Sequence, residues 1–239
     1  MRALLATLLS AGLAGAAQAG AWTQDRGAVF ASLSGDVRDG VWTAATYAEW
    51  GALDALTLGG GYEVAQRDGA AEPDGQASAF ARVRLWTGPD GDPLSVQITG
   101  FRAVKGREAP DAPERDLQDA VDLRAMYGRG FDGPLGPGWL NVELGHRWRL
   151  GRGADEWRAD LTAGVRPLPR ALVYAQSFST IGRRNNDAFG GDYDAHKLAL
   201  NAGYALTPRF TAVLGAEREV AGRNIDRATR FKFSLWARF

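Results

Sequence analysis

The side chains able to do chemistry are few. Among 239 residues there is no cysteine, and the two histidines are His146 and His196, so thiolate catalysis and thiolate metal centres are ruled out. His146 alternates with Leu140, Val142 and Leu144 on one face of an extended run. Acyl transfer there would need an activated hydroxyl beside the imidazole, yet the next side chain on that face is Trp148. Asp119 is within reach of His146 on this reading, but a His–Asp contact alone transfers no acyl group, and no catalytic residue is assigned. His196 ends a loop that runs from Arg183-Arg184-Asn185-Asn186-Asp187 through Gly190-Gly191-Asp192-Tyr193-Asp194. Its oxygens would suit Ca²⁺, but the EF-hand spacing is missing, and the loop reads as solvated. No metal and no cofactor is expected. Gly59-Gly60-Gly61 lies inside an extended run and does not precede a helix; it is therefore a bend or a space for an aromatic neighbour, not a phosphate cradle.

What remains is charge. The chain carries 28 basic and 28 acidic residues, and only Lys105, Lys197 and Lys232 among the basic ones are lysine. A net charge of zero removes the usual support for a nucleic-acid partner. Period-two alternation places Arg82, Arg84, Arg124, Arg147, Arg149, Arg158, Arg166, Lys197, Arg230, Lys232 and Arg238 on one face. Asp36, Glu49, Glu63, Asp122, Glu143, Glu156, Asp160, Glu217 and Glu219 share that face, so the basic excess is small. Such a set either attracts anions through guanidinium groups or zips neighbouring strands by ion pairs. Hairpin register predicts Arg124 near Glu143, Arg149 near Glu156, and Arg147 near Arg158 and Asp160. An interior holding this many charges must be wet, paired or both, because an unpaired ion in a low-dielectric site costs several kcal/mol.

Strands must hold these side chains. The alternation predicts twelve, near 28–37, 42–50, 56–66, 76–86, 94–103, 118–128, 139–150, 156–166, 171–181, 195–206, 210–220 and 229–239. On the N-terminal side the connections are 51–55, 87–93, 129–138, 167–170 and 207–209, mostly compact. The opposite side receives 38–41, 67–75, 104–117, 151–155, 182–194 and 221–228, most of them long and polar. An even strand count with short turns on one rim and long loops on the other is the transmembrane-barrel pattern. A soluble sandwich or lipocalin-like barrel would alternate too, with its apolar face inward.

Two further features favour the membrane. Met1-Arg2, an uncharged Leu/Ala-rich run over residues 3–16 and Ala17-Gln18-Ala19 form a secretory leader with cleavage after Ala19. This divides the chain into a signal peptide, 1–19, and a β-barrel, 20–239. Trp42, Trp50, Trp148 and Trp157 sit near strand ends on the apolar face, where an interfacial girdle would lie; Trp86, Trp139 and Trp236 fall on the other face.

The last strand places Phe231, Phe233, Leu235, Ala237 and the terminal Phe239 on one face. It resembles the closing strand of Gram-negative outer-membrane β-barrels. The resemblance implies an all-β, single up-and-down antiparallel barrel in the outer membrane, with Phe231, Phe233 and Phe239 forming the signal read by the barrel assembly machinery. The stretch from Tyr47 through Trp50-Gly51-Ala52-Leu53-Asp54 to Leu58-Gly59 is similar to a hairpin of outer-membrane transporters. Outer-membrane phospholipases also use twelve strands, but their paired Ser and His have no counterpart at His146 and Trp148.

Function is expected to be passive, porin-like passage of small solutes. Arg82, Arg84, Arg124, Arg147, Arg149, Arg158, Arg166, Arg230 and Lys232 would form an anion-attracting lumen, through a passage narrowed from a backbone diameter of roughly 24 Å. The alternatives are a closed structural or surface-interaction barrel and, less favoured, a lipid-modifying enzyme. Arg102 and Arg218 fall on the lipid face near outer strand ends, where lipopolysaccharide phosphates would meet them. Outer-membrane lipid, lipopolysaccharide and the assembly machinery are the expected partners.

Overall fold

The alternating segments form twelve strands: β1 (Val29–Arg38), β2 (Val41–Leu53), β3 (Leu56–Arg67), β4 (Asp74–Thr87), β5 (Pro93–Val104), β6 (Ala120–Gly133), β7 (Gly136–Arg149), β8 (Asp155–Leu168), β9 (Ala171–Arg183), β10 (Tyr193–Ala205), β11 (Phe210–Arg223) and β12 (Thr229–Arg238). The computed structural model describes residues 20–38, 40–67, 73–104, 119–151, 153–184, 191–225 and 227–239. The leader expected over residues 1–19 lies outside them, as do residues 105–118 and 185–190 of the two long loops.

Each strand pairs antiparallel with its sequence neighbour, and β12 closes on β1. At the seam Val29 N–H donates to the Phe239 carbonyl at 3.0 Å and Phe239 N–H to that of Val29 at 2.9 Å. Closure leaves no unpaired sheet edge, which a chain crossing hydrocarbon requires.

Burial decides which face is which. Leu144, Leu200, Leu214 and Phe231 are 59–70% exposed on the outside, whereas Glu49, Asp122, Asn141 and Thr57 are at most 2% exposed inside. A soluble barrel would invert this, so the sandwich and lipocalin-like readings fail.

Several strands run further than the sequence suggests. The glycine-rich segment 129–138 reads as a turn, yet pairing continues to Gly133↔Gly136 and leaves a two-residue connection, Pro134-Leu135. Glycine does not break a ladder whose neighbours supply the hydrogen bonds, and Gly136 itself turns the chain with φ +97°. Trp86 also departs from its expected face. A bulge between Arg84 and Trp86 brings Trp86 opposite Leu94 and turns it outward, 52% exposed, because one extra residue inverts every later side chain. The outward tryptophans therefore include Trp86 as well as Trp42, Trp50, Trp148 and Trp157.

Candidate functional site: the barrel lumen

The lumen holds a filled part and, beside it, an open polar part. The filler is the chain itself: residues 20–28 precede β1 and enter from the short-turn rim. At that rim Gly27 N–H donates to the Gly51 carbonyl at 2.8 Å, and Gly51 N–H returns a bond to Ala28 at 3.0 Å. Further in, Gln24 N–H donates to Thr57 Oγ1 at 2.8 Å and Gln24 Nε2 to Glu49 Oε2 at 2.7 Å. Arg82 donates to the Trp22 carbonyl at 3.0 Å, Ser95 Oγ to the Ala21 carbonyl, and Ala21 N–H to Asn141 Oδ1 at 2.9 Å. This strap crosses the inner faces of β2 through β7, and Ala21 is completely buried. Trp22 packs against Trp139 and Leu172, with Tyr174 and Trp236 around them. Sequence reasoning missed the strap, although Trp22, only a few residues past the expected cleavage point and belonging to no strand, was a signal that this segment is anchored.

One ion pair anchors the strap. Arg82 and Glu49 meet at 2.8 Å with side chains 3% and 1% exposed. Arg82 also bonds Gln97 at 3.0 Å, while Glu49 accepts from Tyr47 as well as Gln24. Tyr47 stacks on Phe80 with centroids 5.7 Å apart. Gly59 faces Phe80 so closely that a Cβ would overlap the ring, so the glycine triplet makes space for an aromatic.

Towards the long-loop rim, β6, β7 and β8 carry a charge network. Arg124 meets Asp122 at 2.8 Å, Glu143 at 3.0 Å and Asp160 at 2.8 Å. Arg149 pairs with Glu156 at 2.6 Å, which Tyr193 also bonds at 2.6 Å. Arg147 meets Asp122 at 3.3 Å and lies over the Phe101 ring at 4.2 Å. The expected Arg124–Glu143 and Arg149–Glu156 contacts form, each as a diagonal pair: Arg124 stands opposite Gly145, and Glu156 opposite Arg147. Arg147 and Arg158 come together as expected, both approaching Glu156 Oε2, at 4.0 and 3.9 Å, but Asp160 is taken by Arg124. Among the described residues no three His, Asp or Glu side chains converge as a metal site requires.

The open part is a polar cavity of about 310 Å³, bounded by Asp36, Glu63, Gln176, Asn201, Arg230 and Lys232 among others. Arg230 approaches Asp36 only to 3.9 Å; Lys232 is bonded to Glu217, which Lys197 also approaches at 3.6 Å. Towards the short-turn rim, Arg166 and Arg238 stand close enough to repel one another, and neither has a carboxylate partner among the described residues. Arg84 lies on that rim and donates to the Asp54 carbonyl at 2.8 Å. Of the nine residues expected to draw anions, then, Arg230 and Lys232 border the cavity, Arg166 is an unpaired inward cation, Arg84 is at the rim, and Arg82, Arg124, Arg147, Arg149 and Arg158 are on the filled side.

On the outer wall Phe231, Phe233 and Phe239 are 48–70% exposed, and the Phe239 ring meets Phe210 edge-on at 6.4 Å. Arg102 pairs with Asp119 at 2.6 Å, so Asp119 serves that guanidinium and not His146. His146 instead lies between Trp148 and Trp157, at 4.6 and 4.4 Å. Arg218 is exposed on the same wall.

No family model matches the chain, and no curated protein is similar to it. Solved structures are similar in fold. An outer membrane channel from Pseudomonas putida F1 superposes with a TM-score of 0.65 at 13% identity, covering 92% of this chain and 98% of that one. The NanC porin gives 0.63 at 9% identity, over 87% and 98% of the two chains. The KdgM porin gives 0.58 at 9%, over 88% and 99%, and it has also been solved in complex with disordered oligogalacturonate. The chain thus has the closed, twelve-stranded, up-and-down fold of outer-membrane β-barrels.

Proposed function

We propose that this protein is a passive channel for small solutes in the outer membrane of a Gram-negative bacterium, narrowed to one side of its lumen by its own strap. The observation that carries this reading is the polar cavity beside the strap, bordered by Arg230, Lys232, Asp36 and Glu63 inside a closed barrel. A barrel built only as a scaffold has no need to keep part of its interior polar and unfilled. The fold shared with the channel from P. putida and the two porins supports it.

Anions are the favoured solutes. Arg166 and Arg238 lack carboxylate partners among the described residues, and a basic constriction raises the local anion concentration. The oligogalacturonate bound by the KdgM porin is consistent with anionic cargo in this fold. Lipopolysaccharide phosphates would meet the exposed Arg218, and the terminal Phe231, Phe233 and Phe239 face would engage the barrel assembly machinery.

Single-channel recording in a planar bilayer under a salt gradient tests the proposal. The expected result is a small conductance with a reversal potential on the anion side, moved towards zero by Arg166→Ser with Arg238→Ser. A cation-selective reversal potential would refute the anion preference. No conductance at all would favour the closed, structural barrel, a reading supported by how fully the strap and charge network fill the other part.

A further inference from the structure

The residue expected to begin the processed chain, Gly20, lies deep in the lumen. Its φ is +110°, and a Cβ at this position would overlap the Asn141 side chain. The next residue, Ala21, is fixed at both backbone groups, by Asn141 at 2.9 Å and by Ser95. The place in the sequence where a leader would be cut is therefore also a place where the lumen admits no side chain.

Two carboxylates stand close to this point. Asn141 Nδ2 donates to Glu143 Oε1 at 2.8 Å, and Glu143 faces Asp160 across β7 and β8, one inward position beyond Asn141 and Thr162. One oxygen of Asp160, Oδ1, is buried and has no hydrogen-bond partner among the described residues, a costly arrangement for a carboxylate. Asp122 is served by Arg147 as well as Arg124, whereas Glu143 and Asp160 share one nitrogen of Arg124. A further cation with several N–H donors would fit beside them. An α-ammonium has three.

We infer that the chain's own processed N-terminus is that cation: cleavage after Ala19 frees an ammonium on Gly20, which Asn141, Glu143 and Asp160 hold inside the barrel and which locks the strap in place. A precursor that kept residues 1–19 would have to continue from Gly20 among buried charges, so processing and seating of the strap are coupled. Nothing in this inference depends on whether the barrel conducts.

The test uses the full chain, expressed with its leader and purified from outer membranes in detergent. Intact mass is expected to place the first residue at Gly20. The folded protein and a urea-unfolded sample are then treated with an amine-acylating reagent, and modification of the Gly20 amine is followed by peptide mass spectrometry. The expected result is acylation at least about tenfold slower in the folded protein, since reaction requires the strap to open. Asp160→Asn and Glu143→Gln, each checked for heat-modifiable gel migration, should bring the folded rate towards the unfolded one. A first residue other than Gly20, or equal rates in folded and unfolded wild-type protein, would overturn the inference, as would folded variants with unaltered protection. If neither variant folds, the wild-type comparison decides alone. Loss of conductance would leave the labelling result unaffected, so this inference and the channel reading fail separately.

Discussion

The two sides of the lumen are made from the same residue types, and most charges are better matched on the strap side, Arg158 excepted: it approaches Glu156 only to 3.9 Å, and its buried Nε has no partner among the described residues. On the strap side Arg82 is enclosed by Glu49, Gln97 and the Trp22 carbonyl, and Arg124 by three carboxylates. On the open side Arg230 approaches Asp36 only to 3.9 Å with its side chain 29% exposed, and Arg166 and Arg238 have no carboxylate among the described residues. Buried charges need such enclosure, because desolvation without a partner is expensive. Partly solvated ones do not, since water and mobile ions screen them. On the channel reading proposed above, arginine content alone does not mark a path; the incompletely paired arginines beside the cavity and at the short-turn rim are the candidates.

This contrast can be broken most severely at Glu49. Glu49→Ala strands the buried Arg82 and removes the Gln24 anchor, and is expected to cost about 3–5 kcal/mol, read as a fall in the urea midpoint of the heat-modifiable gel band. Arg230→Ser, in the open part, should cost no more than about 1 kcal/mol in the same assay. Equal losses would mean that the two sides do not differ as described.

The next effect separates stability from selectivity. Replacing Arg147 and Arg158 together by serine leaves Glu156 and Asp122 with fewer partners and should lower stability by about 2–4 kcal/mol, while the reversal potential stays close to wild type. The double variant of Arg166 and Arg238 should do the reverse, shifting the reversal potential with little loss of stability. If the first pair moved selectivity, the charge network would line the path after all.

A smaller effect tests packing behind the strap. Gly59→Val would force Phe80 off Tyr47 and is expected to cost about 1–3 kcal/mol; the conductance of the protein that does fold should not change, because Gly59 lies away from the cavity. The smallest equilibrium effect belongs to the seam. Deleting Phe239 should slow insertion by the assembly machinery, followed as the time for the folded band to appear, yet cost only about 1–2 kcal/mol of equilibrium stability for the two backbone hydrogen bonds to Val29 that it removes. Insertion at the normal rate would show that Phe239 is not part of the signal.

Much of the fold was legible because a strand has a period of two and a membrane barrel inverts polarity across it. The last strand shows this most plainly, with Phe231, Phe233 and Phe239 outside and Arg230, Lys232 and Arg238 inside. Contacts within one hairpin were legible too: Arg124–Glu143 and Arg149–Glu156 form as expected, although diagonally, one inward position away from direct register. Trp86 was not, because a bulge is a local choice of pairing that leaves the composition unchanged. The strap was not either, since its partners Asn141, Ser95, Arg82 and Thr57 come from four different strands and have no common period.

By itself the sequence determined the barrel: alternation sets which side chains face lipid, and closure follows because backbone groups in hydrocarbon must all find partners. Only the tertiary structure decided what the barrel encloses. Which arginines are neutralised, which border a cavity and where residues 20–28 lie depend on contacts across the lumen between segments far apart in the chain, such as Ala21 with Asn141. Alternation fixes the direction of a side chain, but the partner it meets is set by the curvature that brings distant strands face to face.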